Sequence, residues 1–234
     1  MIDTHLHVLP KLDDGSRSIT ESVKILQQLQ SLGFTDVICT PHFIPDSPFC
    51  PDNRTKRASM KELNKAIKKH DIALTLHLGN EVYVDPNIPN FIKAKQIQLI
   101  NQQYLLFELP FYAEYQGLHD LLHNLKVKGI TPILAHPERY SYFQEKYQLV
   151  AELKSRGLLF QVNYGSIIGQ YGSSAKKLVK YLFKNQYVDF LGTDIHHADS
   201  QIFDKFPRIQ HKITRLISKD EYESILKNAK KLIP

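Results

Sequence analysis

The sequence predicts an α/β protein whose parallel strands close into a barrel. Short apolar runs alternate with amphipathic stretches about seven times along the 234 residues, a pattern typical of successive strand–helix–strand units. The strands are almost continuously apolar, which favours a barrel over an open sheet because both faces of each strand are then covered. The length fits one domain, residues 1–234, since α/β barrels of about 200–250 residues commonly form single domains.

The predicted strands and helices follow one another along the chain. The first strand lies in the opening run 1–10, and six more are predicted at 36–40, 72–78, 104–107, 131–135, 158–162 and 188–192. Helical periodicity predicts helices between them at 18–32, 54–70, 117–128, 144–156 and 174–185, a short helical piece after residue 81, and two helices after the last strand.

The first helix has clear start and stop signals. Ser18 is expected to be the N-cap, with Glu21 reaching back to complete a capping box. Gly33 follows the last apolar residue of the helical pattern, where a glycine commonly ends a helix.

Composition excludes several classes of protein. Hydrophobic residues make up 42% and charged residues 23% of the chain, with no apolar run long enough to span a membrane and no pattern of a secretory signal. The two cysteines, Cys39 and Cys50, form no disulfide framework, so a cytoplasmic location is expected.

The chain is basic, with a net charge of +6. This charge suits a phosphorylated or acidic partner, and weak nucleic-acid affinity is the alternative. The lysine-rich segment 227–231 fits the exposed face of a helix better than a nucleic-acid patch, so no nucleic-acid partner is expected. The oligomeric state is not predicted.

Potential metal ligands recur where the predicted strands end. In the first strand, His5 and His7 are two residues apart, so both imidazoles point to the same side. One such pair is weak evidence, but imidazoles and carboxylates also follow five of the other predicted strands: His42, Glu81, Glu108, His136, and Asp194 with His196. In β/α barrels the carboxyl ends of the strands form the active-site face, and the sequence therefore predicts a metal site there.

The types of ligand indicate the class of metal. Nitrogen and oxygen donors without thiolates suit manganese, iron or zinc outside a cysteine site. So many donors suggest two or three ions, and a carboxylate such as Glu81 could bridge two of them.

Seven short motifs together resemble a known family. They are Asp3-Thr4-His5-Leu6-His7, Asp13-Asp14-Gly15, Thr40-Pro41-His42, Gly79-Asn80-Glu81, Phe107-Glu108-Leu109-Pro110, His136-Pro137-Glu138-Arg139 and Thr193-Asp194-Ile195-His196. On these residues the chain resembles the polymerase and histidinol phosphatase (PHP) superfamily over nearly its whole length. Within that superfamily it is most similar to the CpsB/CapC-like, manganese-dependent tyrosine phosphatases of bacterial capsule and exopolysaccharide systems.

The resemblance implies a distorted (β/α)7 barrel, the PHP fold, with a trinuclear site. It assigns the first Mn²⁺ to His5, His7, Glu81 and Asp194, the second to Glu81, Glu108 and His136, and the third to Asp14, His42 and His196. Asp14 lies in a loop, where strand ends give no signal, and its neighbour Asp13 is expected to take no part.

The resemblance also implies hydrolysis of a phosphomonoester, with phosphotyrosine in the tail of a bacterial tyrosine kinase as the substrate. Metal ions lower the pKa of a bound water and stabilise charge on the phosphoryl group. Arg139 is the expected phosphate clamp, with His136 and His42 as further catalytic candidates; the alternative for Arg139 is a salt bridge with Glu138 or another surface acid.

The chain departs from the family pattern in two places. Where the family tends to have an arginine soon after the Asp-x-His motif, this chain has Gln201, and the nearest arginine is Arg208. Either Arg208 substitutes or this second phosphate contact is absent. The glutamate motif continues into Val82-Tyr83 where an Ile-Arg pair is common. Both departures concern substrate recognition more than metal binding.

Other enzyme classes fit less well. A cysteine-dependent phosphatase needs Cys-x5-Arg, but Pro45 and Lys56 stand at that spacing, and no P-loop motif exists. The runner-up enzyme class is an amidohydrolase-type metal hydrolase, which also begins with His-x-His, although Glu108 stands where its bridging lysine is expected.

Two closer alternatives stay open. Another phosphoesterase of the superfamily, such as histidinol phosphatase, would share the chemistry, and a metal-binding regulator without activity would leave Arg139 unexplained. Outside the motifs, His119 and His123 are expected to be a solvated pair on an outer helix.

Overall fold

The computed structural model describes residues 1–234 and contains nine strand segments. They are β1 (Ile2–Leu6), β2 (Asp36–Cys39), β3 (His42–Phe43), β4 (Thr75–Leu78), β5 (Glu81–Tyr83), β6 (Tyr104–Glu108), β7 (Thr131–Ala135), β8 (Leu159–Asn163) and β9 (Phe190–Gly192). Every pairing between them is parallel, as the alternation of strands and helices predicts.

The nine segments occupy seven positions in the barrel. The strands pair in two sheets, β1-β2-β4 and β3-β5-β6-β7-β8-β9, so β3 continues the position of β2, and β5 continues that of β4. The ring closes between β9 and β1, where the N–H of His7 donates to the carbonyl of Ile195 and the N–H of Asp194 donates to that of His5. The predicted sevenfold α/β barrel is therefore confirmed, with two of its strands interrupted.

Ten helices connect and follow the strands. They are α1 (Ile19–Ser31), α2 (Asn53–Lys69), α3 (Ile88–Lys93), α4 (Leu118–Val127), α5 (Ser141–Glu145), α6 (Tyr147–Ser155), α7 (Tyr164–Ile168), α8 (Gly172–Lys184), α9 (Ile202–Leu216) and α10 (Lys219–Ala229), with 3₁₀ turns at Pro137–Arg139 and Lys230–Leu232. None of these helices is both long enough and apolar enough to cross a membrane.

Two local predictions need correction. The helix predicted at 144–156 is two helices, α5 and α6, because Lys146 between them adopts an extended φ of −128°. Ser18 caps α1 as predicted, accepting from the N–H of Glu21, but the Glu21 carboxylate accepts from the N–H of Arg17 and not from that of Ser18. Gly33 follows α1 with a φ of +85°, a conformation that favours glycine.

An apolar floor lies inside the barrel below the strand ends. Ile38, Leu106, Ile133 and Phe190 form a small buried cluster that Ala229 and Leu232 at the chain's end help to close. Side chains two positions apart on a strand share a face, so Glu108 stands on the same face as Leu106, one step closer to the carboxyl end. The larger apolar cluster includes side chains from most of the helices and from the strands.

Candidate metal centre

The carboxyl ends of the strands bring all the predicted ligands together. A cavity of about 180 Å³ opens there, lined by Asp14, His42, Ile44, Phe49, Glu81, Glu108, Phe111, His136, Arg139, Asp194 and His196. His5 and His7 lie beneath it and are fully buried. The strand positions that the sequence analysis proposed for these side chains therefore converge on one region of the molecule.

The deepest group consists of two imidazoles and two carboxylates. His5 Nε2 lies 3.0 Å from His7 Nε2, and Glu81 Oε2 is 3.1 Å from the first and 3.2 Å from the second. Asp194 Oδ1 lies 3.6 and 3.5 Å from the same two nitrogens. These four residues are the ones that the family resemblance assigns to the first metal ion.

The protonation of His7 shows that this group fits a cation. Its Nδ1 lies 2.8 Å from Asp13 Oδ2, and a carboxylate can only accept, so Nδ1 carries the proton and, in the neutral ring, Nε2 carries a lone pair. That lone pair faces His5 Nε2 and a carboxylate oxygen in a site closed to solvent. A cation between these atoms would accept the lone pairs of both imidazoles and balance the charge of the Glu81 carboxylate.

Two further groups surround Glu81 and His42. His42 Nδ1 is 3.2 Å from Glu81 Oε2 and 3.5 Å from Glu108 Oε1, yet this buried nitrogen makes no hydrogen bond. His136 Nε2 is 2.8 Å from Glu81 Oε1 and 3.9 Å from Glu108 Oε2. Glu81 thus directs one oxygen to His5, His7 and His42 and the other to His136, as a bridging carboxylate would.

The third group lies at the mouth of the cavity. Asp14 Oδ1 is 3.5 Å from His42 Nε2 and 3.5 Å from His196 Nε2, and the ring of His196 stacks on that of His7 with centroids 4.1 Å apart. Its donors are the three residues predicted for the third ion, with the His7 imidazole close by. This group is the most accessible one, because about half of the Asp14 side chain is exposed.

The backbone at two of the predicted ligands adopts a left-handed conformation. His136 follows β7 with a φ of 35°, and Asp194 follows β9 with a φ of 53°. Such angles are uncommon outside glycine and cluster at functional sites. At these two positions the turn directs a polar side chain into the barrel immediately after an apolar strand.

The pKa values reflect burial and crowding. Burial lowers the pKa of His136 to about 4, so its imidazole is neutral, the form that binds metals. Burial, followed by repulsion from Glu81 and Asp194, raises the pKa of Glu108 to about 9. Burial also opposes ionisation of Glu81, but His5, His42 and His136 outweigh it and hold the pKa of Glu81 well below its ordinary value. The carboxylates therefore repel one another when no cation lies between them.

Arg139 lies at the wall of the cavity, but it pairs with neither Glu138 nor a surface acid. Its guanidinium lies between the rings of Phe111 and Tyr171, 4.7 and 4.6 Å from their centroids, and Nη1 donates to Asp194 Oδ2 at 3.0 Å. Glu138 is buried behind it and accepts from the N–H of Asn163 and from Ser166. The placement of Arg139 suits a residue that contacts substrate.

Two expectations about neighbouring residues are answered by the structure. Asp13 was expected to take no part, but its buried carboxylate accepts from His7 Nδ1 and from the N–H of His42, and so orients two predicted ligands. Arg208 is exposed on α9 and does not line the cavity, so the structure does not bring it to the place of a second phosphate contact.

Other residues of the site gave no clear signal in the sequence. Ile44, Phe49 and Phe111 line the cavity as ordinary apolar side chains in loops, and Gln161 approaches His5 from strand β8. A neutral amide within a strand resembles any other polar residue in sequence, so only the folded structure reveals its contact.

Comparison with known proteins supports the resemblance inferred from the motifs. The family model described as capsular polysaccharide synthesis, CpsB/CapC, matches residues 1–234. The putative tyrosine-protein phosphatase CapC of Staphylococcus aureus is 32% identical over 233 residues, which cover 98% of this chain and 90% of that protein. Tyrosine-protein phosphatase YwqE of Bacillus subtilis (strain 168) is 28% identical over 204 residues, covering 87% of this chain and 80% of YwqE.

Solved structures agree with these sequence matches. One solved structure belongs to the crystal structures of YwqE from Bacillus subtilis and CpsB from Streptococcus pneumoniae, which are described as unique metal-dependent tyrosine phosphatases. It matches this chain with a TM-score of 0.93 and 26% identity, and the match covers 100% of this chain and 94% of that one. A histidinol phosphate phosphatase of Lactococcus lactis shares the fold, with a TM-score of 0.61, 16% identity, and coverage of 93% and 92%. The predicted resemblance is confirmed: the chain belongs to the CpsB/CapC family of capsular polysaccharide synthesis.

Proposed function

We propose that this protein is a metal-dependent tyrosine phosphatase, with residues 1–234 acting as one catalytic domain. The observation that carries the proposal is one cavity in which buried imidazoles and carboxylates converge beside the guanidinium of Arg139. The names of the relatives, tyrosine-protein phosphatases in each case, support the same activity.

The donor set suits two or three Mn²⁺ ions, with Fe or Zn as the alternative metals. The ligands would be His5, His7, Asp14, His42, Glu81, Glu108, His136, Asp194 and His196. All of these offer nitrogen or oxygen, and neither Cys39 nor Cys50 lines the cavity. Glu81 would bridge, because its two oxygens face different imidazoles.

In the reaction, the protein's side chains bind the phosphoryl group and shield the aryl ring. Bound metal ions would supply an activated water and neutralise charge on the phosphoryl oxygens. The planar guanidinium of Arg139 would donate to two of those oxygens. Phe111, Phe49 and Ile44 offer an apolar surface at the cavity mouth, which suits the ring of a phosphotyrosine better than a short polar chain. His136 and His42 adjoin the same space as further catalytic candidates.

The substrate would be a phosphotyrosine in the tail of a bacterial tyrosine kinase of capsule or exopolysaccharide synthesis, in the cytoplasm. The net charge of +6 favours association with a phosphorylated segment through long-range attraction. The family's place in capsular polysaccharide synthesis supports a kinase of that process.

The test is hydrolysis of a phosphotyrosine peptide by the Mn²⁺-loaded protein. We expect phosphate release that is lost on chelation and lost in His136→Ala, while His123→Ala on the exposed face of α4 retains wild-type activity. Circular dichroism of each variant separates loss of chemistry from loss of folding.

The same assay includes a phosphoserine peptide and histidinol phosphate. A loaded protein that contains bound metal but hydrolyses only histidinol phosphate would assign it to another branch of phosphoesterases. Bound metal without hydrolysis of any phosphoester would contradict the proposal and make amide substrates the next choice.

A further inference from the structure

Strand β8 contributes none of the predicted ligands, but two of its side chains reach the floor of the site. Gln161 and Asn163 are two positions apart, so they share the inward face of the strand, and both are fully buried. Gln161 Oε1 lies 2.8 Å from His5 Nδ1, and Gln161 Nε2 lies 2.9 Å from Asn163 Oδ1. Asn163 Nδ2 in turn lies 2.7 Å from Asp194 Oδ2. The two amides therefore link two predicted ligands of the same ion.

The direction of every hydrogen bond in this chain follows from its carboxylate end. Asp194 can only accept, so Asn163 must present its NH₂ group to it. Asn163 Oδ1 then faces Gln161 and accepts from the NH₂ group of that side chain. This leaves Gln161 Oε1 toward His5, where it can only accept from an Nδ1–H.

The consequence falls on the opposite nitrogen of His5. A neutral imidazole protonated at Nδ1 has a lone pair at Nε2, the atom that faces His7, Glu81 and Asp194. We propose that Gln161 and Asn163 form a positioning relay, which fixes the tautomer of His5 and the orientation of Asp194 so that both can bind one metal ion. The inference rests on the metal site of the proposed function and adds two residues that do not themselves touch the metal.

The backbone beside the relay leaves no room for another side chain. A Cβ atom at Gly192 on β9 would lie 2.6 Å from His5 Cβ and 2.8 Å from Gln161 Nε2. Any side chain at this position would therefore displace the amide or the imidazole. The absence of a side chain at Gly192 lets β8 and β9 bring Gln161 into contact with His5.

The relay also holds Asp194 independently of Arg139. Asp194 Oδ2 accepts from both Asn163 Nδ2 and Arg139 Nη1, while Oδ1 faces the histidines. If Arg139 turns to a phosphoryl group, Asn163 still keeps the carboxylate in place. Asp194 Oδ1 can therefore stay directed at the metal site when Arg139 binds phosphate, because Asn163 still holds Oδ2.

The experiment measures Mn²⁺ affinity by calorimetry without substrate. We expect Gln161→Met and Asn163→Leu each to weaken binding about 10- to 100-fold, the usual cost of losing an outer-shell partner of a metal ligand. Because the two amides act as one chain, the double variant should lose little more than either single variant. The matched control is Gln103→Met, an exposed amide before β6 that should keep wild-type affinity.

A second measurement needs no variant. In wild-type protein loaded with diamagnetic Zn²⁺, ¹⁵N shifts of the His5 ring should show a proton on Nδ1 and none on Nε2. A proton on Nε2, wild-type affinity in both single variants, or full additivity in the double variant would each overturn the relay, as would a wild-type protein that binds neither ion.

These results are separate from the test of the enzyme activity. A wild-type protein that binds Mn²⁺ but hydrolyses no phosphotyrosine would refute the proposed function and leave the relay standing. A protein that hydrolyses phosphotyrosine, but whose Mn²⁺ affinity is unchanged in Gln161→Met and Asn163→Leu, would support the proposed function and refute the relay.

Discussion

At the scale of single residues, Arg139 has a position from which it can exchange partners. Two aromatic rings fix the plane of its guanidinium, but only Nη1 is committed, to a carboxylate that Asn163 also holds. About a quarter of the side chain is exposed at the cavity. The remaining donors are therefore available to an incoming phosphoryl group without a large rearrangement.

We expect Arg139→Ala to lower kcat/KM for a phosphotyrosine peptide by about 10- to 100-fold, the cost of one or two charge-assisted hydrogen bonds. Arg139→Lys should recover only part of this loss, because an ammonium cannot match two phosphate oxygens at once. Steady-state kinetics of the two variants, with Mn²⁺ affinity as the control, check the prediction. Wild-type kcat/KM in Arg139→Ala would show that the residue serves only Asp194.

Single residues also show which parts of the candidate site the sequence was sufficient to predict and which parts it was not. Most of the candidate ligands could be proposed from the sequence because imidazoles and carboxylates recur at the ends of apolar strands, which no packing requirement explains. The adjacent Asp13 and Asp14 could not be told apart by type, and the resemblance assigned only Asp14 to the site; the folded loop shows that Asp13 also takes part, because its carboxylate accepts from His7 while Asp14 faces the cavity. Gln161 and Asn163 act through hydrogen-bond direction, which depends on partners distant in the sequence.

At the scale of elements, the strand pattern could be predicted and the interruptions could not. Apolar runs located the seven strand positions, because burial on both faces demands them. The breaks at Thr40-Pro41 and Gly79-Asn80 divide two of these positions, and His42 and Glu81 begin the second segments and pair in register. At the second break a Cβ at Gly79 would lie 2.5 Å from Ile100, a contact that the local sequence does not reveal.

Helix α2 supports both interruptions through one buried lysine side chain. Lys56 Nζ donates to Asn80 Oδ1 at 2.6 Å and to the carbonyl of Gln96 at 3.0 Å, and Asn80 Nδ2 donates to the carbonyl of Pro41 at 2.8 Å. No carboxylate lies within 4 Å of Lys56, and burial lowers its pKa to about 7. An outer helix thereby supports the segments that carry His42 and Glu81.

This buried lysine predicts a pH dependence of stability. Between its folded pKa of about 7 and its ordinary value of 10.5, the unfolded chain binds a proton at Lys56 that the folded chain lacks. The free energy of unfolding should therefore rise with pH in this window, by at most about 1.4 kcal/mol per pH unit. Lys56→Met removes the proton-binding group. The free energy of unfolding of the wild type, measured relative to that of the variant, should therefore increase as pH increases.

Urea unfolding of both proteins near pH 7 and near pH 9 checks this expectation, since other titrating groups are common to the two proteins and cancel in the difference. Stability curves that run parallel with pH would mean that Lys56 keeps its ordinary affinity for protons when buried.

At the scale of the whole molecule, the predicted ligands come from both sheets. His5 belongs to the three-stranded sheet and His7 directly follows its strand β1, while His42, Glu81, Glu108 and His136 come from the six-stranded sheet or the turns that follow its strands. Parallel alternation was enough to predict a closed ring, because crossover helices place successive strands side by side. It could not predict that backbone hydrogen bonding is sparse where β9 meets β1.

Metal binding should accordingly stabilise the whole barrel, since an ion held by β1, β5 and the turn after β9 connects the two sheets across their seam. It also relieves the repulsion among Glu81, Glu108 and Asp194. Ions at about 100 to 1,000 times their dissociation constant contribute about 3–4 kcal/mol each. For a chain of this size that corresponds to a rise in Tm of about 6–16 °C per site.

Differential scanning calorimetry with Mn²⁺ and after chelation measures this rise in Tm. His136→Ala should diminish it, whereas His123→Ala, remote from the cavity, should leave it unchanged. A chelated protein that melts at the same temperature as the loaded one would mean that the hydrogen bonds and apolar floor of the barrel hold the seam without help, and that the ions serve the chemistry alone.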